Sequence, residues 1–196
     1  MEKKTFITQN SKQTQELGGL LAKEIIIGKG RKGSTFSRSR LNIESAFIIC
    51  LSGDLGSGKT TFAQGFLKGL GLKGPHTSPT FLVIKNYQKE IPNPKSQIPN
   101  KSKLSKPKTQ NIYHIDAYRV KAKDILNLGW KEIISGGNIV LVEWADRIKK
   151  IIPRKALWIK FEWVGPPRLA KDASRPALTK RGRRDAGKNK RRIIFK

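Results

Sequence analysis

A short apolar run that stops in a glycine-rich loop, followed at once by a helical pattern, constrains this chain more than any other feature. Phe47-Ile48-Ile49-Cys50-Leu51 reads as a buried strand, and Phe62-Ala63-Gln64-Gly65-Phe66-Leu67 as a helix that Gly71 stops. Between them, Gly53-Asp54-Leu55-Gly56-Ser57-Gly58-Lys59-Thr60 fits G-x-x-x-x-G-K-[ST] at every fixed position. Its glycines admit dihedrals closed to other residues, so successive N–H groups can line an anion-sized hollow. The helix N-terminus adds partial positive charge at the same place. Lys59 then supplies a point charge for β- and γ-phosphates, and the Thr60 hydroxyl a ligand for Mg²⁺. Chance yields this pattern in roughly one chain of this length in a hundred.

The remaining pattern alternates strands and helices. Lys4 to Thr8 reads as a strand, and Ser11 as the N-cap of a helix in which Leu17, Leu20, Leu21, Glu24 and Ile25 lie at helical spacing with mostly apolar character. A strand is expected over Phe81 to Tyr87, with Phe81, Val83 and Tyr87 on one face, and another over Asn111 to Tyr118. Asp124 to Leu128 reads as a short helix closed by Gly129. Asn138 to Val142 is an uninterrupted apolar run, as in a strand buried on both faces. Ala156 to Phe161 and Arg191 to Phe195 are the last strands. The expected fold is an α/β, P-loop NTPase-like three-layer α/β/α sandwich with a largely parallel sheet and basic flexible insertions. Residues 1–164 form the P-loop domain, with insertions near 28–40 and 88–110. Residues 165–196 form a basic C-terminal segment that includes the candidate strand 191–195.

The chain has 196 residues, enough for one such domain with a proper core and too few for two. Its net charge of +27 is concentrated: Gly28 to Arg40, Gln88 to Gln110 and Gly165 to Lys196 together carry +20 of it. These stretches are poor in large apolar residues and read as solvated insertions. Attraction to RNA phosphates is their alternative reading. The Gln88 to Gln110 stretch has four prolines and no aromatic side chain for base stacking. The single cysteine, Cys50, lies in the apolar strand and reads as a buried hydrophobe. The first ten residues lack an apolar signal core and no run reaches membrane-spanning length, which points to the cytoplasm.

Phosphate chemistry also needs a carboxylate to manage Mg²⁺ and water. Open α/β sheets place such groups at the C-terminal ends of strands. Glu143 follows four consecutive aliphatic residues and Asp116 follows Tyr113-His114-Ile115, so both qualify. Helix capping or an ion pair with Arg119 would also account for Asp116. Trp144 either shields the site or packs in the core. Thr80 is either part of a nucleotide-sensing segment or an ordinary strand start. His114 reads as a structural hydrogen-bonding residue and His76 as a loop residue.

GDLGSGKTT at Gly53 to Thr61, SPTF at Ser78 to Phe81, HIDAYR at His114 to Arg119 and Glu143-Trp144 occur in the order and approximate spacing of the TsaE family. The chain resembles that family over roughly residues 4–164, including its opening helix at Ser11 to Leu17. Those proteins are small ATPases of the bacterial machinery that makes N6-threonylcarbamoyladenosine in tRNA. The resemblance implies ATP as ligand, bound by Gly53, Asp54, Leu55, Gly56, Ser57, Gly58, Lys59, Thr60 and Thr61, with Trp144 lining the nucleotide site. It implies Mg²⁺ held by Thr60, Glu143 and Asp116, and Glu143, Asp116 and Lys59 as the catalytic set. Ser78 to Thr80 would belong to a switch-like loop. It further implies TsaB-like and TsaD-like partners, the latter performing the transfer, with tRNA reached through them or through the basic segments.

The three basic stretches depart from the compact family pattern, and the family's late nucleotide contact has only Arg191 and Arg192 as candidates. Two other functions share these features. A small-molecule or nucleoside kinase uses the same strand, loop and helix but needs an arginine-bearing lid, for which Arg147 and Arg154 are the available residues. A nucleotide-gated RNA-binding module would account for the basic segments.

Overall fold

The structure, a computed structural model, describes residues 3–27, 45–91, 108–164 and 190–196. In chain order the elements are β1 (Lys4–Thr8), α1 (Ser11–Ile27), β2 (Phe47–Gly53), α2 (Lys59–Gly69), β3 (Ile84–Ile91) and β4 (Lys108–Asp116). There follow α3 (Ala122–Asn127), α4 (Trp130–Ile133), β5 (Ile139–Glu143), a 3₁₀ helix (Ala145–Ile151), β6 (Leu157–Val164) and β7 (Lys190–Phe195). One seven-stranded sheet has the order β1-β7-β6-β2-β5-β4-β3. Its centre, β6-β2-β5-β4, is parallel. Antiparallel strands flank it, β3 against β4 on one side and β7 then β1 on the other. The parallel character expected from the sequence therefore belongs to the core of the sheet. The final strand, β7, is interior to the same sheet, between β6 and β1.

Alternation along the central strands builds two apolar layers. Ile49 and Leu51 of β2, with Leu141 of β5, pack against Phe62, Phe66 and Leu67 of α2 and Leu21 of α1. Ile48, Cys50, Val140 and Val142 face the other way, onto Ile125, Trp130, Ile133 and Ile148. All five residues of β5 are buried, as its unbroken apolar run requires of a strand covered on both faces. Burial pushes the Cys50 thiol up to about 12, so it packs as a hydrophobe and not as a nucleophile.

Helices α1 and α2 meet through glycines. A Cβ on Gly65 would lie 2.0 Å from the Gln15 carbonyl oxygen, and one on Gly18 2.3 Å from that of Phe62. The missing side chains let the two backbones touch, which draws α1 down onto the helix that leaves the phosphate loop. The N-cap of α1 is Asn10, not Ser11: the Gln13 N–H donates to Asn10 Oδ1 at 2.9 Å. Its buried face runs through Leu21, Ala22 and Ile25, while Leu20 points outward and is 58% exposed.

Two further expectations are corrected. The strand placed over Phe81 to Tyr87 begins only at Ile84. Residues 79–83 form a tight turn, with the Pro79 carbonyl accepting from Leu82 N–H at 2.8 Å and Val83 N–H at 2.6 Å. Phe81 is consequently 85% exposed instead of facing inward with Tyr87. The loop placed over Gln88 to Gln110 is shorter, because β3 and β4 continue as a hairpin ladder from Gln88↔Asn111 to Ile91↔Lys108. Gln110 anchors that ladder by donating its side-chain amide to the Gly137 carbonyl at 2.5 Å. The insertion near 28–40, the middle of the second, and most of the C-terminal basic segment lie outside the described residues. Among the described residues, no helix is long and apolar enough to cross a membrane.

Candidate nucleotide-binding site

Strand β2 ends at Gly53 and α2 begins at Lys59, so the loop between them sits at the carboxyl edge of the parallel core. Two of its glycines are dictated by geometry. Gly53 has φ 129°, and a Cβ there would lie 2.1 Å from the Phe161 carbonyl oxygen of neighbouring β6. Gly58 has φ 103° and lies against the Arg191 side chain of β7. Any side chain at either position would meet both a strained backbone and an occupied space. The first-turn N–H groups of α2 belong to residues that close this loop, and an α-helix supplies them no carbonyl partners. The local frame is that of an anion cradle.

Lys59 is buried within the loop it follows. Its Nζ donates to the Gly53 carbonyl at 2.6 Å and the Asp54 carbonyl at 2.7 Å. The ammonium also lies 3.7 Å from the centroid of the Trp144 ring. Burial pulls the Lys59 pKa below its usual range, while the charges of Glu143, Asp146, Asp54 and Asp116 pull it back up. The lysine is thus a buried cation among backbone acceptors and acidic groups, placed to exchange carbonyls for phosphate oxygens.

The two strand-end carboxylates are brought together, with Asp116 on β4 directly opposite Glu143 on β5 in the parallel register. Glu143 is held at both oxygens. Its Oε2 accepts from the Thr60 hydroxyl at 2.5 Å, and its Oε1 lies 2.8 Å from His114 Nε2. Asp116 faces a different set of partners. Its Oδ2 accepts from the Ser78 hydroxyl at 2.9 Å and the Thr80 hydroxyl at 2.5 Å, and its Oδ1 from the Tyr118 N–H at 2.9 Å. Asp116 therefore ties the Ser78 to Thr80 loop to the edge of the site, while Glu143 meets the phosphate-loop helix. Asp116 caps no helix and, among the described residues, makes no ion pair with Arg119, the two alternatives that the sequence allowed.

Backbone strain is concentrated beside these two acids. Val83, with φ 64°, has its carbonyl on the Asp116 N–H, and Trp144, with φ 57°, follows Glu143 directly. Left-handed conformations at a β-branched and an aromatic residue cost of order 1–3 kcal/mol each and persist only where neighbours over-determine them. At Trp144 the twist turns the indole over Lys59 and against Tyr118, whose ring centroid is 4.8 Å away.

The donor set suits a Mg²⁺ ion that travels with phosphates. Among the described residues no group of three or more His, Cys, Asp or Glu side chains gathers as a protein cage would. Mg²⁺ needs less than that, because phosphates and water fill most of its shell, and the Thr60 hydroxyl and Glu143 Oε2 supply two converging hard oxygens. The candidate late contacts separate clearly. Arg191 is buried beside Gly58 with its guanidinium 5.4 Å from the Trp163 ring, whereas Arg192 turns outward to Glu162 at 3.5 Å. Arg147 is exposed with its guanidinium 5.5 Å from the Tyr118 ring, and Arg154 is exposed ahead of β6. His76 belongs to the loop after α2, 3.2 Å from the Leu72 carbonyl.

With that geometry in place, comparison with known proteins is decisive. The family model described as "Threonylcarbamoyl adenosine biosynthesis protein TsaE" matches residues 8–167. The chain belongs to the TsaE family. A TsaE protein of Bacillus subtilis is 36% identical over 118 residues, 60% of this chain and 63% of that protein. One from Haemophilus influenzae is 29% identical over 130 residues, 66% of this chain and 71% of that protein. One from a Nostoc species is 38% identical over 107 residues, 52% of this chain and 54% of that protein. The matched region thus spans between about half and three quarters of these relatives. The crystal structure of Bacillus subtilis YdiB superposes with a TM-score of 0.53 at 23% identity, covering 99% of this chain and 84% of that one, and shares the fold.

His114 is the structural hydrogen-bonding residue that the sequence suggests, but its partner, Glu143, was not legible there. An alternating strand that ends in a carboxylate offers no signal that the histidine two positions earlier reaches a different carboxylate on the next strand.

Proposed function

We propose that this TsaE-family chain is the Mg²⁺-dependent ATPase subunit of a threonylcarbamoyladenosine-forming assembly. The observation that carries the reading is the link between Thr60 of the phosphate loop and the strand-end Glu143, at 2.5 Å. It couples a phosphate cradle to a buried carboxylate at the one place where metal, phosphate and water would meet. In this reading the backbone of Gly53 to Gly58 and the first turn of α2 bind the phosphates, and Thr61 adds a further contact. Lys59 leaves the Gly53 and Asp54 carbonyls for β- and γ-oxygens. Bound Mg²⁺ would neutralise phosphate charge between Thr60 and Glu143. Glu143 orients the attacking water, and Trp144 with Tyr118 keeps bulk water from the phosphates.

Asp116 acts chiefly by holding the Ser78 to Thr80 loop, and through it the exposed tip Phe81-Leu82. That tip is the natural contact for TsaB-like and TsaD-like partners, since two large apolar side chains stand in solvent beside the nucleotide site. The chain performs no threonylcarbamoyl transfer itself, works in the cytoplasm, and meets tRNA through its partners or its basic segments.

The test is incubation of the purified chain with labelled ATP and Mg²⁺, alone and with a TsaB–TsaD pair and tRNA, beside a panel of nucleosides. Phosphate release that rises with the partners and tRNA is the expected result. Transfer of label to a nucleoside would replace the ATPase reading with a kinase.

A further inference from the structure

His114 is a fully buried imidazole on β4, opposite Leu141 of β5, and its side chain reaches along the ladder to Glu143. Nε2 lies 2.8 Å from Glu143 Oε1, and Nδ1 has no hydrogen-bond partner among the described residues. A carboxylate only accepts, so the shared proton sits on Nε2. The Nδ1–H tautomer would set a lone pair against a carboxylate oxygen and bury its one N–H without an acceptor.

The two partners of Glu143 differ in kind. Thr60 stands on the first turn of α2, at the mouth of the loop that must receive phosphate. His114 stands inside the parallel core, clamped between β3 and β5. Only the histidine can define the carboxylate's orientation independently of what the phosphate loop does. A ligating group usually needs such a partner behind it to fix its direction.

We propose that His114 is the positioning residue of the site: its Nε2–H holds Glu143 Oε1, so that Oε2 is presented beside the Thr60 hydroxyl where Mg²⁺ is received. This rests on the reading of the site as a Mg²⁺–ATP site, but it assigns a role to a residue that touches neither ligand.

Two variants and one spectrum test it. His114→Gln keeps a side-chain N–H at about the reach of Nε2, whereas His114→Phe keeps ring volume and loses the donor. Binding of a fluorescent, non-hydrolysable ATP analogue is followed while Mg²⁺ is titrated, with thermal melts confirming the fold. The Mg²⁺ concentration needed for half-maximal enhancement should rise about 10- to 100-fold in His114→Phe. His114→Gln should stay near wild type, and metal-free affinity should be the same in all three.

A wild-type protein whose nucleotide binding ignores Mg²⁺ would overturn the Mg²⁺–ATP reading itself. A folded His114→Phe with the wild-type Mg²⁺ requirement would overturn the positioning role alone. Should His114→Phe not fold, ¹⁵N imidazole spectra of the wild type decide, with a proton on Nε2 expected and an Nε2 without one refuting the proposal.

Discussion

Trp144 lies over Lys59, its ring centroid 3.7 Å from the ammonium that the proposed site would offer to a nucleotide. The contact makes the tryptophan a built-in reporter, because phosphate can take the lysine only by drawing it from the Gly53 and Asp54 carbonyls and from the ring. Nucleotide addition should therefore change tryptophan fluorescence in the wild type, and Trp144→Phe should remove most of that change. Lys59→Ala should abolish nucleotide binding with the thermal melt little altered, since the cradle itself is backbone. Wild-type affinity in Lys59→Ala, measured by calorimetry, would refute the phosphate-loop assignment.

Glu143→Gln keeps the size of the side chain but loses the charge that faces Thr60 and that the proposed Mg²⁺ would meet. It should bind ATP within a few-fold of wild type and turn over about 10²- to 10³-fold more slowly. Single-turnover phosphate release under partner-stimulated conditions checks this. A variant that hydrolyses at the wild-type rate would move the chemistry to Asp116, its neighbour in register.

The Phe81-Leu82 tip allows a cleaner separation of partner effects from chemistry. Both side chains are exposed, and their loop is fastened to Asp116 through Ser78 and Thr80. The double change Phe81→Ala, Leu82→Ala should leave intrinsic ATP binding and melting temperature near wild type while reducing stimulation by a TsaB–TsaD pair at least tenfold. Asp116→Asn, by contrast, should weaken both stimulation and turnover, because it loosens the loop and alters charge beside Glu143. Full stimulation of the double variant would place the partner surface elsewhere.

Much of this was legible in the sequence, and the reasons are specific. The strand before the phosphate loop, the helix after it and the buried run ending at Glu143 are all local, since burial on two faces and glycine geometry leave marks at fixed spacing. What stayed hidden depends on contacts between distant segments. Phe81 looks like a strand residue until Pro79 folds residues 79–83 into a turn, and propensity holds no record of the Val83 N–H finding that carbonyl. Gln88 and Gln110 look like loop because proline and lysine surround them, yet ladder pairing extends both strands past that composition. The glycines of α1 and α2 look like weak points in helices. They are contact surfaces, visible as such only when Gly18 meets Phe62 and Gly65 meets Gln15.

That contact is itself testable. Gly65→Ala places a methyl group against the Gln15 backbone with no flexible side chain to give way. Alanine is otherwise the better helix former, so on propensity alone the change would stabilise α2 by up to about 1 kcal/mol. The overlap should reverse the sign and destabilise the protein by about 1–3 kcal/mol. Chemical denaturation distinguishes the two directions, and an increase in stability would show that α1 does not lie on α2 as described.

The hairpin gives the means to ask what the basic insertion does. Ile91 and Lys108 are partners in the ladder, so residues 92–107 can be replaced by a two-residue Asn-Gly turn without disturbing any pair. Removing Gln88 to Gln110 instead would strip the end of both strands and the Gln110 amide that holds Gly137. The shorter deletion should fold and bind ATP as the wild type does, because loop length enters closure entropy only logarithmically. It also removes four lysines and no acidic residue. If those lysines meet phosphates, tRNA affinity should fall and the slope of log affinity against log salt should flatten by up to about 0.7–0.9 per lost contact. A salt titration of tRNA binding by the two proteins reads this directly. Superimposable lines would assign the segment no part in RNA binding, and attraction of tRNA would then rest on the other two basic stretches.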